Sequence, residues 1–203
     1  MGAMKGDEDQ PELFAGLGAS GVEDAGGLER FYTPDALAVA VVREVAGAAH
    51  FRAGLDPHVG GGAFARAMEL VCAEVYGVDI DPDAVGLRHV GGGVYDWRHV
   101  GTGEWGQVEL VAGNPPFSTA NEHVAATFRA CPTAIVAFVL PLSNLGLLSW
   151  QPLFNAPSHH MTRVLVILRR PWACVREVAV FVWWPRYEGA MTGGQPTVKF
   201  LSW

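Results

Sequence analysis

Apolar positions in this chain fall into short continuous runs, separated by stretches in which they recur every three or four residues. That rhythm alternates buried strands with amphipathic helices and predicts an α/β domain with a mostly parallel, twisted sheet and helices on both faces. Thr33-Pro34-Asp35 reads as a helix start, with Thr33 as N-cap and Pro34 at the first helical position, and a helix then covers Ala36 to Ala48. A strand ends near Leu55-Asp56, a glycine turn follows at Gly60-Gly61-Gly62, and a second helix runs from Ala63 to about Cys72.

Further strands are predicted over Val75 to Ile80, Val108 to Ala112, Ala134 to Leu140, Arg163 to Leu168 and Val178 to Trp184, with a helix over Ala120 to Ala130. Gly91 to Gly93 and Gly189 to Pro196 read as loops. Trp183 and Trp184 alternate across a strand, which predicts one in the core and one outside it. A sheet of this kind binds ligands beyond the carboxyl ends of its strands, so chemistry is expected where strands stop.

At 203 residues, half of them hydrophobic, the chain can bury one full core. Residues 30 to 203 are expected to form one domain, preceded by an acidic, disordered lead-in over residues 1 to 29. The longest apolar runs fall short of the ~20 residues a membrane helix needs, and the N-terminus lacks the pattern of a signal peptide. Cys72, Cys131 and Cys174 share no ligand or disulfide spacing. A cytoplasmic protein with reduced thiols and no metal site is expected.

The net charge of −7 argues against a nucleic-acid partner until its distribution is considered. Residues 1–116 carry a net −11 and residues 117–203 a net +4. Arg163, Arg169, Arg170, Arg176, Arg186 and Lys199 could therefore line one face of a cleft or simply be solvated.

Two constellations carry chemistry. The first runs from Asp56 through Pro57, His58, Gly60 and Gly62 to Phe64, a strand end passing through a glycine turn into a helix, where backbone can approach a ligand closely. Asp79 follows at the end of the next strand, placed to accept hydrogen bonds from ribose hydroxyls. Gly60, Gly62 and Ala65 equally satisfy a dinucleotide fingerprint, so a nicotinamide site and an ordinary glycine loop both stay open here.

The second is Asn114-Pro115-Pro116-Phe117, directly after a buried strand. An amine conjugated to an aromatic ring must have its lone pair drawn out before it can attack a methyl carbon. The amide oxygen of Asn114 and a backbone carbonyl can each accept one of its hydrogens. The Pro115-Pro116 turn is stiff and lacks N–H donors, and Phe117 offers a face on which a flat base can stack.

Asn114-Pro115-Pro116-Phe117 resembles the NPP(Y/F) motif of amino-methyltransferases, and Asp56-Pro57 through Phe64 resembles their DPxxGxGxF loop. The resemblance implies a Rossmann-like class I methyltransferase with S-adenosylmethionine as cofactor. Phe31-Tyr32-Thr33-Pro34 is similar to the FYTP element of N6-adenine DNA methyltransferases, which places Tyr32, Thr33 and Pro34 beside the methionine moiety. Val78-Asp79-Ile80-Asp81-Pro82 resembles the element whose first acid holds the ribose. Asp96-Trp97 stands where the family reads the cofactor's adenine. The match spans about residues 31 to 145, with a looser likeness in Arg169-Arg170-Pro171-Trp172 and Phe181-Val182-Trp183-Trp184.

By this resemblance the chain acts on the N6 amine of adenine in DNA. His58 departs from the small residue usual in the cofactor loop, and no separate target-recognition domain follows. RNA adenine-N6 or guanine-N2 methylation, protein glutamine methylation, a non-catalytic cofactor-binding protein and a nicotinamide oxidoreductase are the rival readings. Among other residues, His159-His160 suggests a loop or surface pair rather than metal ligands. Ser143 and Asn144 lie past a strand end near the expected pocket.

Overall fold

The computed structural model describes residues 22–23, 29–169, 171–172, 177–186 and 195–203. Ahead of the domain, β1 (Val22–Glu23) and β2 (Glu29–Arg30) pair antiparallel within the segment expected to be a lead-in. Then come α1 (Asp35–Ala46), β3 (Phe51–Asp56), α2 (Ala63–Met68), β4 (Cys72–Asp79), β5 (Gly91–Val94), β6 (Leu110–Gly113) and α3 (Ala120–Ala130). The chain continues through β7 (Ile135–Pro141), α4 (Gln151–Phe154), β8 (His159–Ile167), β9 (Val178–Pro185) and β10 (Thr197–Leu201).

Eight strands form one sheet in the order β10-β8-β9-β7-β6-β3-β4-β5. Every neighbouring pair is parallel except the two made by β9, which runs against both β7 and β8. The largely parallel sheet is thus present, with one reversed strand that apolar patterning cannot reveal.

The sheet is buried on both faces, which is why its central strands read as unbroken apolar runs. Alternate residues separate cleanly. Leu110, Ala112, Ala137, Val139, Val180 and Val182 face the layer of α1 and α2, whereas Val111, Val136, Phe138, Leu140, Phe181 and Trp183 face the layer of α3. Each fully buried side chain of this size contributes about 1.5–3 kcal/mol of transfer free energy. Trp183 is wholly buried and donates its indole N–H to Leu153 O, while Trp184 on the other face is 42% exposed.

Helix α1 starts at Asp35 with Pro34 as its N-cap and no side-chain cap, so Thr33 lies outside the helix. Gly91–Gly93, read as a loop, is instead part of edge strand β5. A Cβ on Gly92 would lie 1.7 Å from the carbonyl oxygen of Gly77 on β4. Glycine here permits close pairing rather than a turn. His159-His160 likewise belongs to β8 and not to a loop. His159 is fully buried, stacked on Phe128 at 4.3 Å, with ring nitrogens 3.0 Å from Ala134 O and from Ser158 Oγ. Cys72 and Cys131 are buried free thiols; Cys174 lies outside the described residues.

Candidate active site

Strand order reverses about β3: β4 and β5 lie to one side, β6 and β7 to the other. The crevice beyond the carboxyl ends of β3 and β6 is where open α/β sheets take ligands. Asp56 closes β3, Asp79 closes β4, and Asn114 follows β6. Two adjoining cavities occupy this crevice, of about 330 and 240 Å³, and Phe31, Tyr32, His58, Gly60 and Asn114 line both.

The glycine turn is held from below. Gly60 donates its N–H to Asp79 Oδ2 at 2.8 Å, and Asp81 donates its N–H to Asp79 Oδ1 at 3.0 Å. A carboxylate offers about four acceptor positions, so each oxygen of Asp79 keeps capacity for a ligand hydroxyl. Gly60 and Gly62 have φ of 41° and 81°, a region costly for any other residue. A Cβ on Gly61 would lie 3.2 Å from the ring of Tyr32, which rests on the turn.

Asp56 is only 2% exposed, and burial pushes its carboxyl up to about 8, against the lowering effect of the His58 N–H bond at 3.1 Å. Gly113 lets it sit there, since a Cβ at that position would be 2.8 Å from Asp56 Oδ1. Asp56 lines the smaller cavity beside Thr33, Phe64 and Asn114.

Asn114 joins the two halves of the crevice. Its Nδ2 donates to Phe31 O at 2.8 Å, which fixes the orientation of the amide. Its Oδ1 is buried and has no hydrogen-bond partner among the described residues. Phe117 stacks on Phe31 with ring centroids 5.6 Å apart, and Trp172 packs at 5.6 Å from Phe31 and 6.2 Å from Phe117. Trp172 also donates its indole N–H to Tyr32 O at 2.8 Å. The FYTP-like segment is thereby fastened to the NPPF-like turn.

Tyr32, Thr33, Asp56, His58, Gly60, Phe64, Asp79, Ile80, Asp96, Trp97, Asn114 and Pro116 all come together as cavity lining. Pro34, Gly62, Pro115 and Phe117 do not line either cavity. Pro34 caps α1, Gly62 shapes the turn, Pro115 is buried, and Phe117 supports Phe31. Trp97, although it reaches the wall, is 1% exposed and donates to Thr127 Oγ1 at 2.9 Å. Tyr95, Arg98, Thr119 and His123 also line the larger cavity. They escaped the sequence reading because no motif marks them.

Among the described residues, three of the candidate basic side chains are engaged within the fold. Arg163 donates to the carbonyls of Glu44 and Val45 at 3.1 and 3.3 Å, Lys199 pairs with Glu44 at 2.9 Å, and Arg186 bonds Ala156 O and Asn155. Arg169 is exposed and lies over the Trp203 ring, 5.9 Å from its centroid. Arg170 and Arg176 lie outside the described residues.

A class I S-adenosylmethionine-dependent methyltransferase candidate from Listeria monocytogenes superposes with a TM-score of 0.67 at 13% identity, over 84% of this chain and 66% of that one. An RNA methyltransferase candidate from Pyrococcus horikoshii superposes at 0.64 and 17% identity, over 83% and 94% of the two chains. The fold is that of class I methyltransferases. A type I restriction-modification methyltransferase subunit from Streptococcus thermophilus shares it at 0.62 and 13% identity, over 77% of this chain. This chain spans 45% of that subunit. No family model matches the sequence. No curated protein matches it either. Among the described residues no helix is long and apolar enough to cross a membrane.

Proposed function

We propose that this chain is an S-adenosylmethionine-dependent methyltransferase acting on the N6 amine of adenine in DNA. The observation that carries the reading is Asn114: its amide nitrogen is committed to Phe31 O, and its buried oxygen is left as a bare acceptor where the two cavities meet. A buried acceptor without a partner is costly, and it is explained if a ligand N–H completes it.

The residues suit this cofactor. Asp56, Asp79, Asp81 and Asp96 line the crevice, while Arg66 and Arg98 are tied to Asp35 and Asp96. With Asp56 neutral and Asp96 paired with Arg98, Asp79 and Asp81 give the crevice its negative charge, which favours a ligand carrying positive charge and disfavours the pyrophosphate of a nicotinamide dinucleotide. Asp79 would hold the ribose, the glycine turn would admit close approach, and Asp56 with Thr33 would face the methionine end. When bound, S-adenosylmethionine supplies an electrophilic methyl group on its sulfonium.

The chain's own contribution is then positioning. Asn114 Oδ1 and the Pro115 carbonyl accept the two hydrogens of the target amine, which draws its lone pair out of the ring and aims it. Phe117, packed against Phe31 and Trp172 and lining neither cavity, braces the Phe31 ring that lines both. If the substrate is a duplex, the base must leave the stack at a cost of a few kcal/mol. Similarity to an RNA methyltransferase candidate as well as to a type I restriction-modification methyltransferase subunit makes substrate identity the decisive measurement. Incubation with methyl-labelled cofactor and, separately, DNA, RNA and protein, followed by digestion, should yield N6-methyl-2′-deoxyadenosine from DNA. Label in RNA or glutamine alone would refute the DNA assignment, and label nowhere would refute methyl transfer.

A further inference from the structure

Asp96 stands where the resemblance puts the reader of the cofactor's adenine, yet its carboxylate is already engaged. Oδ1 accepts from Arg98 N and Nε at 3.0 Å each, and Oδ2 from Arg98 Nε and Nη2 at 3.1 and 2.6 Å. His99 Nδ1 approaches Oδ2 at 3.5 Å. The single Nε–H is shared between both oxygens, so three Arg98 hydrogens occupy about three of the roughly four acceptor positions a carboxylate has. They also hold its pKa down at about 2. Little of the carboxylate is left for the purine, which gives a second group at this wall a share in reading it.

A pair of imidazoles lies at the same wall. His58 Nε2 and His123 Nδ1 are 2.8 Å apart, with ring centroids at 4.5 Å, and both rings line the larger cavity with Asp79, Ile80 and Asp96. His58 also packs edge-on against Phe138 at 5.8 Å. Burial, with the neighbouring His123 at His58 and the Arg98 charge at His123, keeps both rings neutral. One proton therefore lies between them, and its side fixes both tautomers.

The other nitrogen of His58 decides which side. Nδ1 of His58 is buried without a partner among the described residues. A bare lone pair there is tolerated better than an N–H with no acceptor, since orphaned buried donors are the rarer case. His58 then carries its proton on Nε2 and donates it to His123 Nδ1. His123 must in turn carry its own proton on Nε2. The pair's remaining hydrogen-bonding position is thus a donor on a residue of the cavity wall.

We propose that His123, its tautomer set by His58, reads the purine of the cofactor by donating Nε2–H to a ring nitrogen of adenine. This assignment rests on the S-adenosylmethionine reading and makes His58, the departure from the family loop, a positioning residue.

The test measures affinity by calorimetry for S-adenosylhomocysteine and for three analogues in which N1, N3 or N7 of the purine is replaced by C–H. The wild-type protein should bind one of the three about tenfold more weakly than the parent compound, as expected for one lost hydrogen bond. His123→Ala should bind that analogue and the parent within about twofold of each other. His58→Phe, which retains an aromatic ring but cannot fix the tautomer, should shrink the difference as well. Nitrogen-15 spectra of histidine-labelled wild-type protein give a readout that no variant's folding can obscure: His58 should carry its proton on Nε2 and His123 on Nε2. A proton on His58 Nδ1, equal wild-type binding of all four compounds, or undiminished discrimination in His123→Ala would overturn the assignment and leave the cofactor reading intact. A wild-type protein that binds none of the four would remove the cofactor reading itself, and this assignment with it.

Discussion

Substitution of Asn114 separates catalysis from binding. Asn114→Ala deletes the donor to Phe31 O, 2.8 Å away, and the free Oδ1. Leaving the Phe31 carbonyl unpaired costs about 1–3 kcal/mol, and that loss loosens the segment before α1 without unfolding the sheet. Loss of an acceptor that acts as the amine pyramidalises is a transition-state effect, expected to be about 2.7–4 kcal/mol, or 10²–10³ in rate. Asn114→Asp is more informative than its isosteric shape suggests. An ionised carboxylate would set two acceptors face to face across the 2.8 Å contact, whereas a protonated one restores a donor to Phe31 O and an acceptor to the cavity. The Asp variant should therefore gain activity as pH falls through its own raised pKa, opposite to a wild-type rate that does not depend on protonating this site. Single-turnover methylation of DNA at saturating cofactor, with S-adenosylhomocysteine affinity measured alongside, reads both. An Asn114→Ala rate within threefold of wild type, or an Asp variant whose pH profile follows wild type, would refute the role given to Asn114.

Cofactor binding should be linked to protons through Asp56. Its pKa of about 8 leaves it mostly neutral at pH 7, and a cationic ligand favours the ionised form. Affinity should then rise by up to tenfold per pH unit below about 8, with proton release visible in calorimetry across buffers, and Asp56→Asn should flatten the slope. Gly113→Ala should destabilise the fold by about 1–3 kcal/mol, because the added Cβ would sit 2.8 Å from Asp56 Oδ1, and thermal unfolding measures it. His123 and His159 titrate near 4 when folded, and His58 well below its usual range. The unfolded chain takes up these protons near pH 6.5, whereas the folded one takes them up near 4 at His123 and His159 and well below 6.5 at His58, so stability is lost as pH falls from about 6.5 toward 4. Asp56 acts in the opposite direction there, being protonated when folded and ionised when unfolded above about 3.8. Three groups outweigh one, and urea midpoints at pH 7 should exceed those at pH 5. Arg169→Gln should weaken DNA binding and reduce the log–log salt slope by about 1. Arg163→Gln should leave that slope unchanged, since Arg163 is occupied with Glu44 and Val45.

Local chemistry was legible wherever the relevant neighbours are close in sequence. The strand-to-glycine-turn-to-helix passage at Asp56–Phe64 and the abrupt stop of β6 before Asn114 follow from apolar runs broken by Gly and Pro, although α2 stops at Met68 rather than near Cys72, where β4 begins, and β6 covers Leu110–Gly113 rather than Val108 to Ala112. Alternation along β9 told that one of Trp183 and Trp184 would be buried, since successive side chains leave opposite faces of a strand. What stayed hidden depends on contacts between distant segments. The reversed direction of β9, the glycine strand β5 beside Gly77, and the burial of His159 are decided by pairing partners, and residue pattern carries no record of who the partner is. The same holds at the site. Sequence could nominate Asn114 and Asp96, but only the fold shows that the Asn114 amide is fixed by Phe31, 83 residues upstream. Only the fold spends Asp96 on Arg98 and brings His58 within 2.8 Å of a histidine 65 residues away. Hydrogen-bond capacity is a property of residue type, whereas its free remainder, which is what a ligand meets, exists only once the chain has used the rest.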